Sequence, residues 1–303
     1  MEATLRSNSI IGDTLRAYRG LMKLPIVTLL VFTTVTAMVV AANGLPPQDI
    51  ILPTILGGFM AAAGASSLNQ YVDRDMDGLM ARTSRRPIPS GRVAPVNALL
   101  FGLALVAWSV LVLGIFVNWL AAGLAFTGAI YYVVLYTMIL KRNTVVNIVI
   151  GGGAGAIPVM VGWAAVTNTV PLEAWILFAI VFFWTPPHSW ALAILVSKDY
   201  EAANVPMMPV ARGEEVTRWQ ILAYSTQLVV ITLIPSMALF LPVQPMLGWF
   251  YMVSALLLGI GMIYLSIKLI RVADKVVARQ LYKYSSLYLA MLFLAMMIDR
   301  FVS

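Results

Sequence analysis

The sequence contains no cysteine, a single histidine and few charged residues, which form only 11% of its 303 residues. Without cysteine the chain has no disulfide, thiolate metal site or cysteine nucleophile. An average soluble domain is about 25% charged, so this chain has too little charge to cover a water-exposed surface. Apolar residues are abundant instead, at 61%, and the mean hydropathy is +0.89. These values predict an all-α polytopic membrane protein.

Nine apolar segments are long enough to cross a bilayer as helices, which takes about 20 residues each. No polar stretch between them is long enough for a soluble domain. We therefore expect an N-terminal segment, 1–23, on the cytoplasmic side and one transmembrane domain, 24–303. The predicted spans are 24–43, 50–71, 95–117, 119–140, 144–166, 172–196, 219–241, 247–268 and 281–301.

The basic residues predict the orientation of these spans. All Lys and Arg except Arg300 lie in the N-terminal segment or in or beside the loops after the second, fourth, sixth and eighth spans. Because Lys and Arg accumulate in cytoplasmic loops, this pattern predicts a cytoplasmic N-terminus and an external C-terminus, in a bacterial inner membrane. It also explains the net charge of +7 without nucleic-acid binding.

Two inner loops are long, and they follow the second and sixth spans. Each has an acidic stretch and then a turn bracketed by prolines, at 87–89 and 206–209. This likeness indicates a weak internal repeat in which both loops face one site, as in other membrane proteins built from repeats.

The first candidate site is a row of oxygen-bearing side chains at the end of the second span. Asn69, Asp73 and Asp77 are spaced i, i+4, i+8, so they stack on one face of a helix. Carboxylates that close together repel unless a cation lies among them, and hard oxygen ligands suit Mg²⁺ shared with substrate phosphates. The arginines that follow are suited to phosphate oxygens; they are Arg82, Arg85 and Arg86. The pattern favours an amphiphile with a diphosphate head and an apolar tail, although a solvated loop with local ion pairs has the same composition.

The second candidate site surrounds the only histidine, His188, inside the sixth span. A titratable group at this depth indicates a functional site, with a structural hydrogen bond to another helix as the alternative. Pro186 and Pro187 should break or kink the helix beside it. Nearby candidates for contacts to substrate are Trp184, Trp190, Lys198, Asp199 and Tyr200, of which Asp199 is also a candidate metal ligand.

The run Asn69–Asp77 resembles the first motif of the UbiA-type intramembrane prenyltransferases. The elements Arg82-Thr-Ser-Arg-Arg86-Pro and Trp184-Thr-Pro-Pro-His188 are similar to those of the heme-farnesylating branch of that superfamily. The resemblance implies a UbiA-type helical bundle. It also implies a reaction between farnesyl diphosphate and heme B that gives heme O and diphosphate, for assembly of heme-copper oxidases.

The resemblance assigns roles to individual residues. Asn69, Asp73 and Asp77 would hold Mg²⁺-diphosphate, and Arg82 and Arg86 would serve diphosphate or heme propionates. His188 would ligate heme iron, and we prefer this positioning role to a role as a base. Heme B would be a substrate rather than a cofactor, and the protein partner would be a heme A synthase or an oxidase assembly protein. Other superfamily members have a second Asp-x-x-x-Asp motif. This sequence departs from that motif, because Ala203 stands four residues after Asp199.

Two other functions share part of this pattern. A prenyltransferase acting on a quinone precursor or another aromatic acceptor would use the same acidic row but leaves His188 without a role. A heme-binding membrane transporter would also have broken helices, but it would release no diphosphate.

Overall fold

We analysed a computed structural model, which describes residues 2–237 and 245–302. The fifteen α-helices of this part of the chain are α1 (Glu2–Met22), α2 (Leu24–Ala42), α3 (Gln48–Val72), α4 (Arg74–Asp77), α5 (Pro95–Phe116), α6 (Trp119–Ile130), α7 (Lys141–Asn143), α8 (Asn147–Gly151), α9 (Gly153–Thr167), α10 (Leu172–Leu195), α11 (Ser197–Ala202), α12 (Met208–Ala211), α13 (Glu214–Met237), α14 (Trp249–Val272) and α15 (Lys275–Val302). A π-helix, Tyr131–Leu140, joins α6 to α7.

Within the described ranges, nine helical segments are long and apolar enough to cross a membrane. They are Leu24–Ala42, Gln48–Val72, Pro95–Phe116, Trp119–Asn143, Asn147–Thr167, Leu172–Leu195, Glu214–Met237, Trp249–Val272 and Lys275–Val302. The prediction of nine spans is confirmed. The last span begins at Lys275 rather than 281, because a basic helical turn extends it beyond its apolar part. The predicted end of the seventh span, at 241, lies outside the described residues.

The fifth span is the central helix of the bundle. Inside the protein, 72% of its apolar stretch is buried, against 17% for the fourth span. A Cβ atom on Gly162 of α9 would lie 2.1 Å from the carbonyl oxygen of Thr34 on α2. Only glycine permits this approach, as is common where membrane helices pack closely.

The sequence predicts a break or a kink at Pro186 and Pro187, and the break is absent because α10 is continuous from Leu172 to Leu195. Each proline removes one N–H from the helical hydrogen bonds. Both prolines are buried, and α10 packs against α9, α13 and α15. This packing supports the turn around the prolines, so the helix continues to Leu195.

Candidate active site

The stacked row predicted at the end of the second span exists in the structure. Asp73 N–H donates to the Asn69 carbonyl at 2.9 Å, and Asp77 N–H donates to the Asp73 carbonyl at 2.8 Å. Helical spacing therefore continues from α3 into α4. Asn69 Nδ2 donates to Asp73 Oδ2 at 2.9 Å, and all three side chains are buried. We call Asn69, Asp73 and Asp77 the acidic site.

Basic side chains neutralise the carboxylates of this region. Lys141 pairs with Asp73, and one Arg86 nitrogen lies 2.8 Å from both oxygens of Asp77. Outside the acidic site, Arg142 donates to both oxygens of Asp75 and holds the pKa of that carboxyl down at about 2. The pairs on Asp73 and Asp77 offset the cost of burying those two carboxylates.

Lys23 is a member of this region that the sequence interpretation counted only as a topological charge. It joins α1 to α2 with a φ of 52°, the left-handed conformation that non-glycine residues seldom adopt. Its Nζ donates to Asn69 Oδ1 at 2.7 Å. Desolvation by the surrounding protein, together with the charges of Arg86 and Lys141, lowers the pKa of Lys23 to about 7. A nearby anion would restore the charged form.

The end of α1 sets the position of Lys23. The side chain of Gln70 donates to the carbonyls of Gly20 and Leu21, and Ser66 Oγ donates to the Leu21 carbonyl at 2.9 Å. These bonds satisfy carbonyls that a helix end leaves without partners. They hold the end of α1 against α3 and so place Lys23 beside Asn69.

The π-helix delivers two more residues to the acidic site. Thr137 Oγ1 donates to the carbonyl of Tyr132, five residues earlier, at 2.8 Å. It accepts a bond from Asn69 Nδ2 at 3.0 Å. Because π-helical bonding joins residues five apart, the wider turn lets both Thr137 and Lys141 face α3. The sequence predicted an ordinary helix here, and no local pattern distinguishes the two forms.

The two long inner loops, which we predicted to face one site, are in contact. Arg82 N–H donates to Asp199 Oδ2 at 3.3 Å, and the Arg82 guanidinium donates to Tyr200 Oη at 3.4 Å. Arg85 and Lys198 are exposed, and neither side chain has a hydrogen-bond partner within the described ranges. Asp199 belongs to no cluster of three metal-ligating side chains among the described residues.

A second cluster surrounds His188, and we call it the imidazole site; it comprises Trp184, His188, Tyr282 and Ser285. The His188 ring stacks on Trp184 at 4.3 Å and on Tyr282 at 4.8 Å, centroid to centroid. Its Nδ1 lies 2.8 Å from Ser285 Oγ, and Trp184 Nε1 donates to the Ser285 carbonyl at 2.7 Å. The sequence interpretation missed the two α15 residues, Tyr282 and Ser285, which lie far along the chain from His188.

An apolar cavity of about 160 Å³ adjoins the acidic site. Residues of α2, α3, α6 and α9 line most of it, and small side chains such as Ala61, Ala62 and Gly155 leave it open. Lys23 lines the same cavity and also bonds Asn69. The space is therefore apolar along its walls and adjoins the charged groups of the acidic site.

The acidic site has the ligand chemistry that Mg²⁺ requires. The side chains of Asn69, Asp73 and Asp77 lie on successive helical turns and are all buried, and the buried Oδ1 of Asp73 accepts no hydrogen bond. An Arg142 nitrogen lies 3.9 Å from this oxygen. Because Mg²⁺ takes one or two carboxylates and completes its shell with water and phosphate oxygens, this donor set fits the ion.

The fold is that of the UbiA-type membrane prenyltransferases. A solved digeranylgeranylglyceryl phosphate synthase superposes with a TM-score of 0.77 at 17% identity, over 96% of this chain and 100% of that one. A UbiA homologue from Archaeoglobus fulgidus bound to DMAPP and Mg²⁺ gives a TM-score of 0.64 at 16% identity, over 92% and 99%. The model of the UbiA prenyltransferase family matches residues 30–294, and the chain belongs to this family.

Several similar relatives carry the name protoheme IX farnesyltransferase. The protein of that name from Symbiobacterium thermophilum is 48% identical over 99% of both chains, and that from Gloeobacter violaceus is 46% identical over 97% of this chain and 95% of its own. That from Roseiflexus sp. strain RS-1 is 49% identical over 95% of this chain and 53% of its own. The chain thus spans about half the length of the Roseiflexus relative and nearly all of the other two. The resemblance to the heme-farnesylating branch is confirmed.

Proposed function

We propose that this chain transfers a farnesyl group from farnesyl diphosphate to a vinyl group of heme B, giving heme O and diphosphate. One observation carries the proposal: a buried acidic site with basic partners adjoins an apolar cavity through Lys23. This arrangement suits an amphiphile with a diphosphate head and an isoprenoid tail. The name of the relatives supports farnesyl diphosphate and heme B as the pair of substrates.

The diphosphate head would lie at the acidic site. Asn69, Asp73 and Asp77 would hold Mg²⁺, which supplies positive charge to the leaving diphosphate. Basic side chains that now bond carboxylate or amide oxygens would turn to phosphate oxygens, as charge-assisted bonds favour; they are Lys23, Arg86, Lys141 and Arg142. The positive field is in place before the reaction, so it stabilises charge that develops on the leaving group.

The farnesyl tail would lie in the cavity, whose apolar walls exclude water. The bond between C1 and the diphosphate oxygen breaks, and its electron pair leaves with diphosphate. The vinyl carbon of heme then bonds C1, and the cation left on the heme side chain takes hydroxide from water, releasing one proton. Exclusion of water from the tail protects the allylic cation until the vinyl group reaches it.

His188 would hold the heme by its iron rather than act as a base. Its ring is held between two aromatic rings, and Nε2 has no hydrogen-bond partner within the described ranges. Neutral imidazole is a good iron ligand. Arg82, Arg85 and Lys198 are basic groups of the two inner loops suited to heme propionates, and Asp199 and Tyr200 fix the position of Arg82.

The chain is a multi-pass membrane protein. We place both sites on the cytoplasmic side of the inner membrane. Nearly all Lys and Arg lie in the N-terminal segment and in the loops on one side of the bundle, and the acidic site is on that same side. A heme A synthase or an oxidase assembly protein would take the product.

The test is expression of the chain in membranes that lack heme farnesylation, followed by extraction and mass analysis of heme. We expect a farnesyl-sized mass gain with the native chain and none with Asp73→Asn. Asp49→Asn is the matched control, since Asp49 is exposed and lies at the opposite end of α3 from the acidic site. Intact membrane protein without new heme would contradict the proposal. A prenylated quinone precursor, or heme flux without diphosphate release, would then identify the function.

A further inference from the structure

Ser285 forms two hydrogen bonds that together determine how its hydroxyl is oriented. Its Oγ lies 2.9 Å from the Tyr282 carbonyl oxygen and 2.8 Å from His188 Nδ1. A carbonyl oxygen only accepts hydrogen bonds, and a serine hydroxyl has one proton. The proton of Ser285 therefore points to Tyr282, and a lone pair of Oγ faces the imidazole.

The state of the His188 ring follows from this orientation. If Nδ1 had no proton, the one serine proton would have to serve both the Tyr282 carbonyl and Nδ1. The contact left without a proton would then bring two lone pairs together, and these would repel. Both contacts are satisfied when Nδ1–H donates to Ser285 Oγ. In the neutral ring the proton is then on Nδ1 and the lone pair is on Nε2, because the bond made by one nitrogen fixes the state of the other.

The neighbouring side chains restrict rotation of the His188 ring away from Ser285. Trp184 and Tyr282 stack on it with interplanar angles of 20° and 30°. Trp184 is itself tied to Ser285, through the backbone carbonyl. None of the ion pairs found within the described ranges includes His188, so neutral Ser285 is its partner. Ser285 is fully buried, which excludes competing water from its hydroxyl.

We propose that Ser285 is a positioning residue that holds His188 in the Nδ1–H form, with Nε2 directed to an iron porphyrin. The inference rests on the proposed function for the identity of that ligand, but the state of the ring can be measured without it. A histidine that binds a metal commonly donates its other N–H to a second group, and loss of that group typically weakens binding or activity about 10–100-fold.

The first measurement uses the fact that the chain has one histidine. The full chain, purified with a tag that lacks histidine, labelled with ¹⁵N-histidine and placed in lipid nanodiscs, gives the spectrum of His188 alone. We expect protonated Nδ1 and unprotonated Nε2 in the native chain, and population of the other form in Ser285→Ala. The matched control is Ser286→Ala, whose hydroxyl bonds the same Tyr282 carbonyl but not His188. Protonated Nε2 in the native chain, or the same spectrum in Ser285→Ala, would overturn the inference.

The second measurement is titration of the same samples with ferric heme B. We expect Ser285→Ala to weaken binding about 10–100-fold and to shift the iron–histidine vibration. Ser285→Thr, which keeps a hydroxyl, should restore the native vibration, and Ser286→Ala should leave it unchanged. A heme spectrum unchanged by His188→Ala would contradict the heme-ligand role in the proposed function, whereas the nitrogen spectrum would still decide the role of Ser285. A changed spectrum in His188→Ala with none in Ser285→Ala would overturn the role of Ser285 alone.

Discussion

The acidic site and the imidazole site differ in the forces that hold them. In the acidic site, side chains from four segments of the chain meet through opposite charges, as in the pairs Lys141–Asp73 and Arg86–Asp77. In the imidazole site, neutral hydrogen bonds and stacked rings from two helices, α10 and α15, hold one side chain. A charged site can exchange its partners for a diphosphate, whereas a site held by neutral contacts keeps its geometry as a planar ligand arrives.

The two sites nevertheless share one device. Thr137 and Ser285 each donate a hydroxyl proton to a carbonyl of their own helix, at Tyr132 and Tyr282. Each hydroxyl oxygen then accepts a bond from the functional side chain, Asn69 or His188. A neutral hydroxyl thereby orients both side chains without adding charge.

The largest expected effect comes from damaging each site separately. Asp73→Asn should lower turnover by up to about 10³-fold, the scale of losing one preorganised stabilising group, and should leave heme affinity unchanged. His188→Ala should weaken heme binding and leave the affinity for an unreactive farnesyl diphosphate analogue unchanged. Titration of both variants with both ligands is the measurement. If either variant impaired both affinities, the two sites would not be independent.

A smaller effect is expected on stability when a charge of the acidic site loses its partner. Lys141→Met leaves buried Asp73 without its main cation, so we expect a loss of about 3 kcal/mol in the free energy of unfolding. Addition of Asp73→Asn should recover part of this loss, because the unpaired charge disappears. Unfolding curves of the two single variants and the double variant give the coupling energy. Strictly additive losses would show that the pair contributes nothing to stability.

How much the sequence predicts differs between the two sites for a physical reason. Local spacing predicts the row of Asn69, Asp73 and Asp77, and apolar length predicts the nine spans. The partners Lys141 and Ser285 come from residues 68 and 97 positions away. Such contacts depend on how whole helices pack, which no local pattern contains. The π-helix was missed because its residues are as apolar as those of an ordinary span.

The apolar cavity allows a third prediction, on the isoprenoid chain. A Cβ atom on Gly155 would meet no other atom within 4 Å, so Gly155→Leu should place its side chain in the cavity. Displacing two methylene groups of a bound tail, at about 0.8 kcal/mol each, would weaken farnesyl diphosphate binding about tenfold. Geranyl diphosphate, which is one isoprene unit shorter, should be affected less.

The control for this prediction is Gly123→Leu. Gly123 also has open space around it, but it is exposed and does not line the cavity. Competition between the two diphosphates in each variant measures the selectivity. Equal weakening for both chain lengths in Gly155→Leu would mean that the tail lies elsewhere.

The smallest effect tests the hydroxyl device at the acidic site. Thr137→Val keeps the shape of the side chain but removes the acceptor of Asn69 Nδ2. An unsatisfied buried donor costs about 1 kcal/mol or more, so Asn69 should become less well oriented and diphosphate affinity should fall about fivefold. Thr127→Val is the control, because Thr127 bonds only its own helix and is exposed.

The same variant also compares the two sites. Asn69 keeps its bonds to Asp73 and Lys23 when Thr137 is replaced, whereas the ring nitrogens of His188 have one hydrogen-bond partner within the described ranges. Thr137→Val should therefore disturb the acidic site less than Ser285→Ala disturbs His188. If Thr137→Val had the larger effect, the charged acidic site would depend more on its single hydroxyl than the neutral imidazole site does.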